Sequence, residues 1–161
     1  MNAKPPIQFP PFFPRQAVGE PELEMTFALI KSHAVRGSLV GIILARILRE
    51  KLIVMMAMQG RLSGEEILDL YGMHAKKPYW PALMESVSGP VVAMVLAGKD
   101  AVTTWRGMLG NTDPGYADKG TLRHEFGNIK LVAENVAHGS DSIQVAKREI
   151  GLFFPKIMLS R

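Results

Sequence analysis

The alternation of apolar and polar positions divides most of this chain into short strands and helices that follow one another in turn. Apolar runs at Met25–Ile30, Leu52–Met58 and Val91–Leu96 predict three strands, and Ile129–Ala133 together with Asn135–Ala137 predicts a fourth. The run Val91–Leu96 is apolar at every position, which is typical of a strand that is central or buried on both faces.

Helical spacing of apolar positions fills the segments between these strands. Ser38 is positioned to cap one helix, and Ser63 begins another, with acidic residues in its first turn, that runs to about Tyr71. Further helical segments are predicted at Lys99–Leu109 and Thr121–Phe126. The predicted apolar helix faces carry, in chain order, Val40, Ile43, Leu44, Ile47 and Leu48; Leu83, Met84 and Val87; and Ile143, Ala146, Ile150 and Phe153.

The order of these elements predicts an α+β domain. Right-handed crossovers produce two interleaved strand–helix–strand units, which is the ferredoxin-like βαββαβ arrangement, an α/β sandwich. We expect a four-stranded antiparallel sheet covered by helices, all on one face. Residues 25–154 are predicted to form this domain, residues 1–24 a Pro-rich N-terminal arm and residues 155–161 a C-terminal tail. The arm could dock on the domain or on a neighbouring subunit, or it could be disordered.

Composition limits the classes of protein to consider. The 161 residues are 47% hydrophobic and 21% charged, which fits one globular domain, and the net charge of +4 suits anionic ligands without requiring nucleic acid. The absence of Cys excludes disulfides, thiolate zinc sites and thiol nucleophiles, and the four His residues lack metal-ligand spacing. The longest apolar run, Val91–Ala97, is too short to span a bilayer, and the N-terminus resembles neither a signal nor a transit peptide. We therefore expect a cytoplasmic protein with no membrane partner and no specific nucleic acid partner.

One stretch near the C-terminal end combines a His with flexible and helix-capping residues. Asn135–Ser142 reads N-V-A-H-G-S-D-S, so His138 is predicted to lie where a strand gives way to the last helix. Gly139 would let the backbone turn, and Asp141 and Ser142 could cap the helix. An imidazole beside free backbone N–H groups and a helix dipole is well placed to meet a phosphate. The alternative is that His138 is a satisfied polar residue at a surface turn.

Several nucleotide-binding and hydrolytic motifs are absent. The chain has no G-x-x-x-x-G-K-[ST] loop, which excludes a P-loop kinase, and it lacks the H-R-D motif of protein kinases. It also has no G-x-S-x-G elbow, so support for a serine hydrolase is weak. Arg106, Thr112 and Arg123 instead surround the long loop Gly110–Gly120. Two guanidinium groups, a hydroxyl and helix-start amides could hold a diphosphate tail.

The sequence resembles the nucleoside diphosphate kinase family, which moves a γ-phosphoryl group between nucleotides through a phosphohistidine. The similarity extends from about residue 26 to residue 154 and consists of five pieces in order. These are T-F-A-L-I-K at Thr26–Lys31, S-G-P-V-V-A-M-V at Ser88–Val95, M-L-G-N-T-D-P at Met108–Pro114, G-T-L-R at Gly120–Arg123 and N-V-A-H-G-S-D-S at Asn135–Ser142. Each piece alone is weak, but the set in register is highly specific.

The resemblance implies a catalytic role for four residues. His138 would be the nucleophile that becomes phosphorylated, and Glu149 would hydrogen-bond the other imidazole nitrogen and fix its tautomer. Ser140 would support Glu149, and Tyr71 would flank the nucleophile. Ping-pong kinetics would follow, because one pocket must serve the donor and the acceptor in turn.

The resemblance also implies a set of substrate-binding residues. The phosphates would be bound by His74, Arg106, Thr112 and Arg123, the ribose hydroxyls by Lys31 and Asn135, and the base by Tyr79, with Leu83 and Val132 on its other side. Tyr79 takes the position of a family Phe, and stacking on it would not read base identity. Mg²⁺ would arrive with the nucleotide and bridge its phosphates, so no protein metal ligand is expected.

Two further features depart from the family pattern. The family's I-K-P-D-A reads I-K-S-H-A at Ile30–Ala34, which replaces a Pro and an acid beside the ribose-binding Lys. The segment between Arg123 and Asn135 is slightly longer than usual and is expected to form a bulge or longer turn before the fourth strand. His33 and His124 match no family role and are interpreted as ordinary exposed residues.

These departures keep a second hypothesis open, a nucleotide-binding regulatory or scaffolding oligomer with reduced or lost turnover. A third hypothesis, nucleic-acid binding, rests on net charge alone. Family members assemble as hexamers or tetramers, and Pro114 matches a position associated with subunit packing. Because the tail beyond Phe154 resembles the longer-tailed hexameric forms, we expect a homo-oligomer, specifically a hexamer.

Overall fold

The computed structural model describes residues 23–155. Most of the arm predicted at residues 1–24 and of the tail predicted at residues 155–161 lies outside the described residues. No helix within the described part of the chain is both long and apolar enough to cross a bilayer.

Four strands form one antiparallel sheet in the order β2-β3-β1-β4. They are β1 (Glu24–Ile30), β2 (Ile53–Gly60), β3 (Val91–Gly98) and β4 (Ala137–Gly139). The ferredoxin-like antiparallel sheet predicted from the sequence is confirmed, and β3, apolar throughout, lies inside the sheet between β2 and β1 with every residue buried. β4 pairs with β1, which places the end of the chain's last strand beside the first.

Seven α-helices connect and cover the strands of residues 23–155. They are α1 (Ser32–Arg36), α2 (Val40–Arg49), α3 (Gly64–Tyr71), α4 (Trp80–Val87), α5 (Ala101–Leu109), α6 (Leu122–Phe126) and α7 (Ile143–Phe153). Short 3₁₀ turns follow α3 and interrupt the loop after α5.

Helices pack on both faces of the sheet, so the expectation that they lie on one face is wrong. Phe27 and Leu29 of β1 belong to one apolar cluster with α3, α4 and α7, whereas Ala28 and Ile30 belong to a second cluster with α2, α5 and α6. Successive strand residues point to opposite faces, and both alternating sets are apolar here. Burying each large aliphatic side chain contributes about 1.5–3 kcal/mol, so both faces stabilise the fold.

The fourth strand is displaced from its predicted place. Residues 129–133 form exposed turns, with Ile129 69% exposed, because Asn128 and Glu134 close the segment through backbone and side-chain hydrogen bonds. The strand pairing is confined to Ala137–Gly139. His138 therefore lies within β4 rather than after it, and the segment before β4 forms a turn, as expected from its length.

The helix starts agree in part with the predicted caps. Ser63 begins α3, as predicted, and it also forms a complete capping box with Glu66. Ser38 does not cap α2, because its backbone is left-handed, with φ of 58°, and Leu39 precedes the helix instead. Ser142 caps α7 by accepting a hydrogen bond from the N–H of Val145, so Asp141 is not the cap.

Candidate active site

The imidazole of His138 lies at the centre of the candidate site. Its backbone pairs with β1, and its carbonyl accepts a hydrogen bond of 3.1 Å from Nε1 of Trp105 on α5. The ring of Tyr71 meets it edge-on, with ring centroids 5.4 Å apart, and the ring of Phe27 lies 6.0 Å away. The side chain of His138 keeps 18% of its surface exposed. The ring is therefore held on two sides and remains accessible.

A buried carboxylate on α7 fixes the tautomer of this imidazole. Oε2 of Glu149 lies 3.0 Å from Nε2 of His138 and accepts a hydrogen bond of 2.6 Å from the hydroxyl of Ser140. Glu149 is 2% exposed, and the Ser140 hydroxyl also accepts from the N–H of Phe27 at 3.4 Å. Because a carboxylate only accepts hydrogen bonds, Nε2 of His138 carries the proton and Nδ1 holds the lone pair.

Tyr71 flanks the ring without a partner for its own hydroxyl. That oxygen is buried and makes no hydrogen bond to any of the described residues. Burial, followed by the charge of Glu149, raises the pKa of Tyr71 above its ordinary value. The phenol therefore stays neutral beside the imidazole at physiological pH.

Gly139 is required by packing and not, as expected from the sequence, by a turn. A Cβ at this position would lie 2.5 Å from Cδ1 of Trp105. Gly139 also does not belong to the positive-φ residues. The indole that holds the His138 carbonyl thus occupies the space that any larger residue at position 139 would need.

The two candidate phosphate-binding guanidinium groups are brought to this strand. Arg123 donates from Nε, Nη1 and Nη2 to the carbonyls of Asn135, Gly110 and Ala137, at 3.2, 2.9 and 3.0 Å. Burial and the nearby charge of Arg106 lower the pKa of Arg123 to about 10, which leaves it charged at neutral pH. The carbonyls fix the plane of the guanidinium next to the residue that precedes His138.

Arg106 is held by the carboxylate of Asp141, a residue for which the sequence predicted a different role. Its Nη1 forms an ion pair with the carboxylate of Asp141, predicted to be a helix cap. Both side chains are well exposed, at 48% and 76%. Such an exposed pair contributes little to stability, so it holds the Arg106 guanidinium only weakly.

Lys31 and Asn135 are both buried, and both lie near Arg123. Nζ of Lys31 donates to the carbonyl of Ala133 at 2.8 Å, and Nδ2 of Asn135 donates to the carbonyl of Thr112 at 2.9 Å. Burial, reinforced by the charge of Arg123, lowers the pKa of Lys31 to about 7. The oxygen Oδ1 of Asn135 is buried without a hydrogen-bond partner among residues 23–155.

The candidate base-binding residues are only partly assembled. Nδ1 of His74 lies 2.9 Å from the hydroxyl of Tyr79, which is half exposed, and Leu83 is buried on α4 in the cluster that also holds Tyr71. Val132 is 40% exposed in the turns before β4. Within the described part of the chain, no hydrogen bond or core cluster joins Val132 to the other candidates.

Sequence reasoning missed one further residue at this site. The interpretation of His33 as an ordinary exposed side chain is wrong, because it is half buried and its Nε2 accepts a hydrogen bond of 3.2 Å from the N–H of Val136. Its place beside Lys31, where the family has an acid, was the only available signal. His124 is exposed, as expected.

Comparisons with known proteins show which family this chain belongs to. The model of the family "Nucleoside diphosphate kinase" matches residues 24–158. A nucleoside diphosphate kinase of Desulforamulus reducens is 43% identical over 82% of this chain and 88% of its own. The structure of a halophilic nucleoside diphosphate kinase from Halobacterium salinarum in complex with CDP superposes with a TM-score of 0.77, at 34% identity, over 81% of this chain and 87% of that one. The Aquifex aeolicus enzyme gives a TM-score of 0.76 at 33% identity, over 82% of this chain and 95% of that one.

Proposed function

The chain belongs to the nucleoside diphosphate kinase family, and we propose that His138 is the side chain that carries the phosphoryl group in its reaction. The protein transfers the γ-phosphoryl group of a nucleoside triphosphate to a nucleoside diphosphate by a ping-pong mechanism. The observation that carries the assignment is the contact of 3.0 Å between Nε2 of His138 and Oε2 of Glu149. It leaves the lone pair on Nδ1, which is the nitrogen that can attack phosphorus.

In the first half-reaction, the Nδ1 lone pair of His138 forms a bond to the γ-phosphorus. The bond from that phosphorus to the β,γ-bridging oxygen breaks, and the diphosphate leaves with the electron pair. The Nε2 proton stays on the ring, where Glu149 stabilises the positive charge that develops on the imidazole. In the second half-reaction, a terminal β-phosphate oxygen of another diphosphate attacks the same phosphorus and the N–P bond breaks.

The charge on the transferring phosphoryl group is stabilised by Arg106 and Arg123. Phosphoryl transfer needs little covalent chemistry from the protein, so positioning and charge dominate. Arg123 is held rigidly by three carbonyls, and Arg106 is exposed enough to follow the substrate. Thr112 and His74 complete the phosphate-binding set in this proposal.

The nucleoside is held away from the reacting atoms. Lys31 and Asn135 bind the ribose hydroxyls, and the unpartnered Oδ1 of Asn135 supports this role, since a hydroxyl would satisfy it. Tyr79 stacks on the base with Leu83 and Val132 as its neighbours. Stacking contributes about 1–3 kcal/mol without reading base identity, which suits an enzyme that accepts several bases.

Mg²⁺ fits this site as part of the nucleotide. The groups that line it are mainly cationic, and residues 23–155 contain no cluster of three or more His, Asp or Glu side chains suited to a metal ion. Mg²⁺ favours phosphate oxygens and water, so the nucleotide phosphates would hold it and it would neutralise part of their charge. The proposed phosphate-binding side chains, those of His74, Arg106, Thr112 and Arg123, contact the phosphates directly.

The proposal is tested by labelling the protein with γ-labelled Mg-ATP. Wild type should take up label that a diphosphate removes, and His138→Ala should take up none. His124→Ala should behave as wild type, because the side chain of His124 is exposed and has no assigned role. Double-reciprocal plots of the exchange rate should be parallel, as a ping-pong mechanism requires. Label on His138→Ala with intact exchange would refute the assignment. Nucleotide binding without exchange in wild type would instead favour the scaffolding alternative.

The proposal includes a cytoplasmic homo-oligomer, specifically a hexamer. Pro114, which matches a family position linked to subunit packing, is buried within the loop after α5. Sedimentation of a stable monomer would contradict the oligomer, and cell fractionation tests the location.

A further inference from the structure

The backbone at Val136, between Asn135 and β4, is strained. Val136 has φ of 73°, a region that a β-branched residue rarely adopts, and it is fully buried. The N–H of Ala137 donates to the carbonyl of Asn135 at 2.9 Å, across one residue, so Val136 is the centre of a tight γ-turn. A residue persists in such a strained conformation only when its surroundings hold it there.

One short segment of the chain holds both polar groups of Val136. Its carbonyl accepts a hydrogen bond of 2.9 Å from the N–H of Lys31, and its N–H donates to Nε2 of His33 at 3.2 Å. His33 lies 103 residues from Val136 in sequence. Lys31 directly follows β1, and His33 lies in α1. The segment that joins these two elements therefore holds the turn at both its carbonyl and its N–H.

The clamped turn determines the geometry of the proposed phosphate site. Arg123 donates to the carbonyls of Asn135 and Ala137, which flank Val136 on either side. His138 follows Ala137 directly on β4. A change in the turn would therefore move the guanidinium and the nucleophile relative to each other.

His33 can perform this task only as a neutral imidazole. Accepting at Nε2 requires a lone pair there, so the proton lies on Nδ1, which is buried without a partner among the described residues. Burial lowers the pKa of His33, Lys31 and Arg36 lower it further, and Glu134 on the facing turn opposes them. Protonation would replace the acceptor with a second donor facing the Val136 N–H.

We propose that neutral His33 is a positioning residue for phosphoryl transfer, which holds the γ-turn at Val136 and through it aligns Arg123 with His138. This inference rests on the function proposed above. The family pattern has an acid at position 33, and a carboxylate also accepts hydrogen bonds. The His in this chain keeps the acceptor but adds a proton switch that an acid would not show until lower pH.

Two variants separate the acceptor from the titration. His33→Gln places an amide oxygen near the position of Nε2 without a titratable proton, whereas His33→Leu keeps a similar volume and removes the acceptor. His124→Gln, at an exposed His, is the matched control. Exchange rates are measured between pH 5 and 8.5 for each protein. The rate of each variant is divided by that of wild type, which cancels the pH effects that all of the proteins share.

At pH 8, His33→Gln should retain most of the wild-type kcat, and His33→Leu should lose about five- to thirty-fold in kcat, as expected for a lost buried hydrogen bond. As the pH falls below 6.5, the ratio of His33→Gln to wild type should rise, while the ratio for His124→Gln stays constant. A constant ratio for His33→Gln together with wild-type rates for His33→Leu would overturn the positioning role.

A second measurement does not depend on activity or on the folding of His33→Leu. The amide signal of Val136 should shift with pH in wild type, with a midpoint below 6.5, and should stay constant in His33→Gln. A Val136 amide that does not respond in wild type overturns the inference even if the enzyme is active. Loss of all His138 labelling in wild type would instead identify a failure of the proposed function.

Discussion

The hydroxyl of Tyr79 and Nδ1 of His74 lie 2.9 Å apart, and this hydrogen bond joins the proposed base-binding ring to a proposed phosphate-binding side chain. The two rings are tilted by 49°, with centroids 5.8 Å apart. The family pattern has Phe at the position of Tyr79, so the contact is a property of this chain's own sequence. The hydrogen bond orients His74, and its other partner, Tyr79, is half exposed.

Tyr79→Phe separates the hydrogen bond from stacking. The phenyl ring still stacks on a base, but His74 loses its anchor, so kcat/KM should fall only about five-fold, the equivalent of one hydrogen bond. Tyr79→Ala should fall about 10- to 100-fold, because stacking is lost as well. Steady-state kinetics with purine and pyrimidine diphosphates measure both, and Tyr116→Phe, 80% exposed, is the control. A larger loss for Phe than for Ala would contradict the role in stacking.

Glu149→Gln should lower kcat by about 10- to 100-fold, the usual effect of losing a partner that orients a functional His. The amide can present its NH₂ group to Nε2 and so favour the wrong tautomer. The measurement is the rate of a single phosphorylation of the enzyme, with nucleotide affinity determined separately. Glu65→Gln on the exposed first turn of α3 is the matched control. Unchanged phosphorylation in Glu149→Gln would show that tautomer control lies elsewhere.

The lowered pKa of Lys31 predicts that proton binding is coupled both to folding and to nucleotide binding. Its pKa is lowered to about 7 in the folded chain, below the ordinary 10.5, so the unfolded chain binds more protons between these values. The free energy of unfolding should therefore rise with pH from about 7 toward 10. Urea titrations should show this slope in wild type and in Lys99→Met, an exposed control, and a smaller slope in Lys31→Met.

Nucleotide binding should reverse the shift at Lys31. The negative charge of the bound nucleotide favours the protonated form of the Lys31 ammonium, so binding at pH 8 should take up protons. Calorimetry in two buffers of different ionisation enthalpy measures this uptake. Equal uptake in wild type and Lys31→Met would assign the protons to another group.

Gly139→Ala tests the packing of Trp105 against the active-site strand. The added methyl group meets the indole at 2.5 Å, and overpacking of this kind costs about 1–3 kcal/mol of stability. The exchange rate should fall with it, because the same indole holds the His138 carbonyl. Gly41→Ala on α2 has nothing within 4 Å of the new methyl and should be neutral or stabilising. Thermal unfolding and exchange assays compare the two, and equal stability would contradict the close approach.

Sequence patterns predicted the elements whose causes are local. The capping box from Ser63 to Glu66 spans one helical turn, and the apolar run that forms β3 is continuous, so both could be read from neighbours in the chain. The strand predicted at residues 129–133 was wrong because that prediction, too, used only neighbours in the chain. This segment has the composition of a strand, but Asn128 and Glu134 close it into turns, and β4 forms later, where β1 offers a partner.

The sequence by itself determined the family, the antiparallel sheet and the identities of the candidate site residues, because ordered motifs and apolar periodicity are written along the chain. Only the tertiary structure decided how those residues are held. The contacts of Trp105 with Gly139, of Asp141 with Arg106 and of His33 with Val136 join residues that are 34 to 103 positions apart. Hydrogen-bond geometry and burial at such separations depend on the closed fold, and no local pattern encodes them.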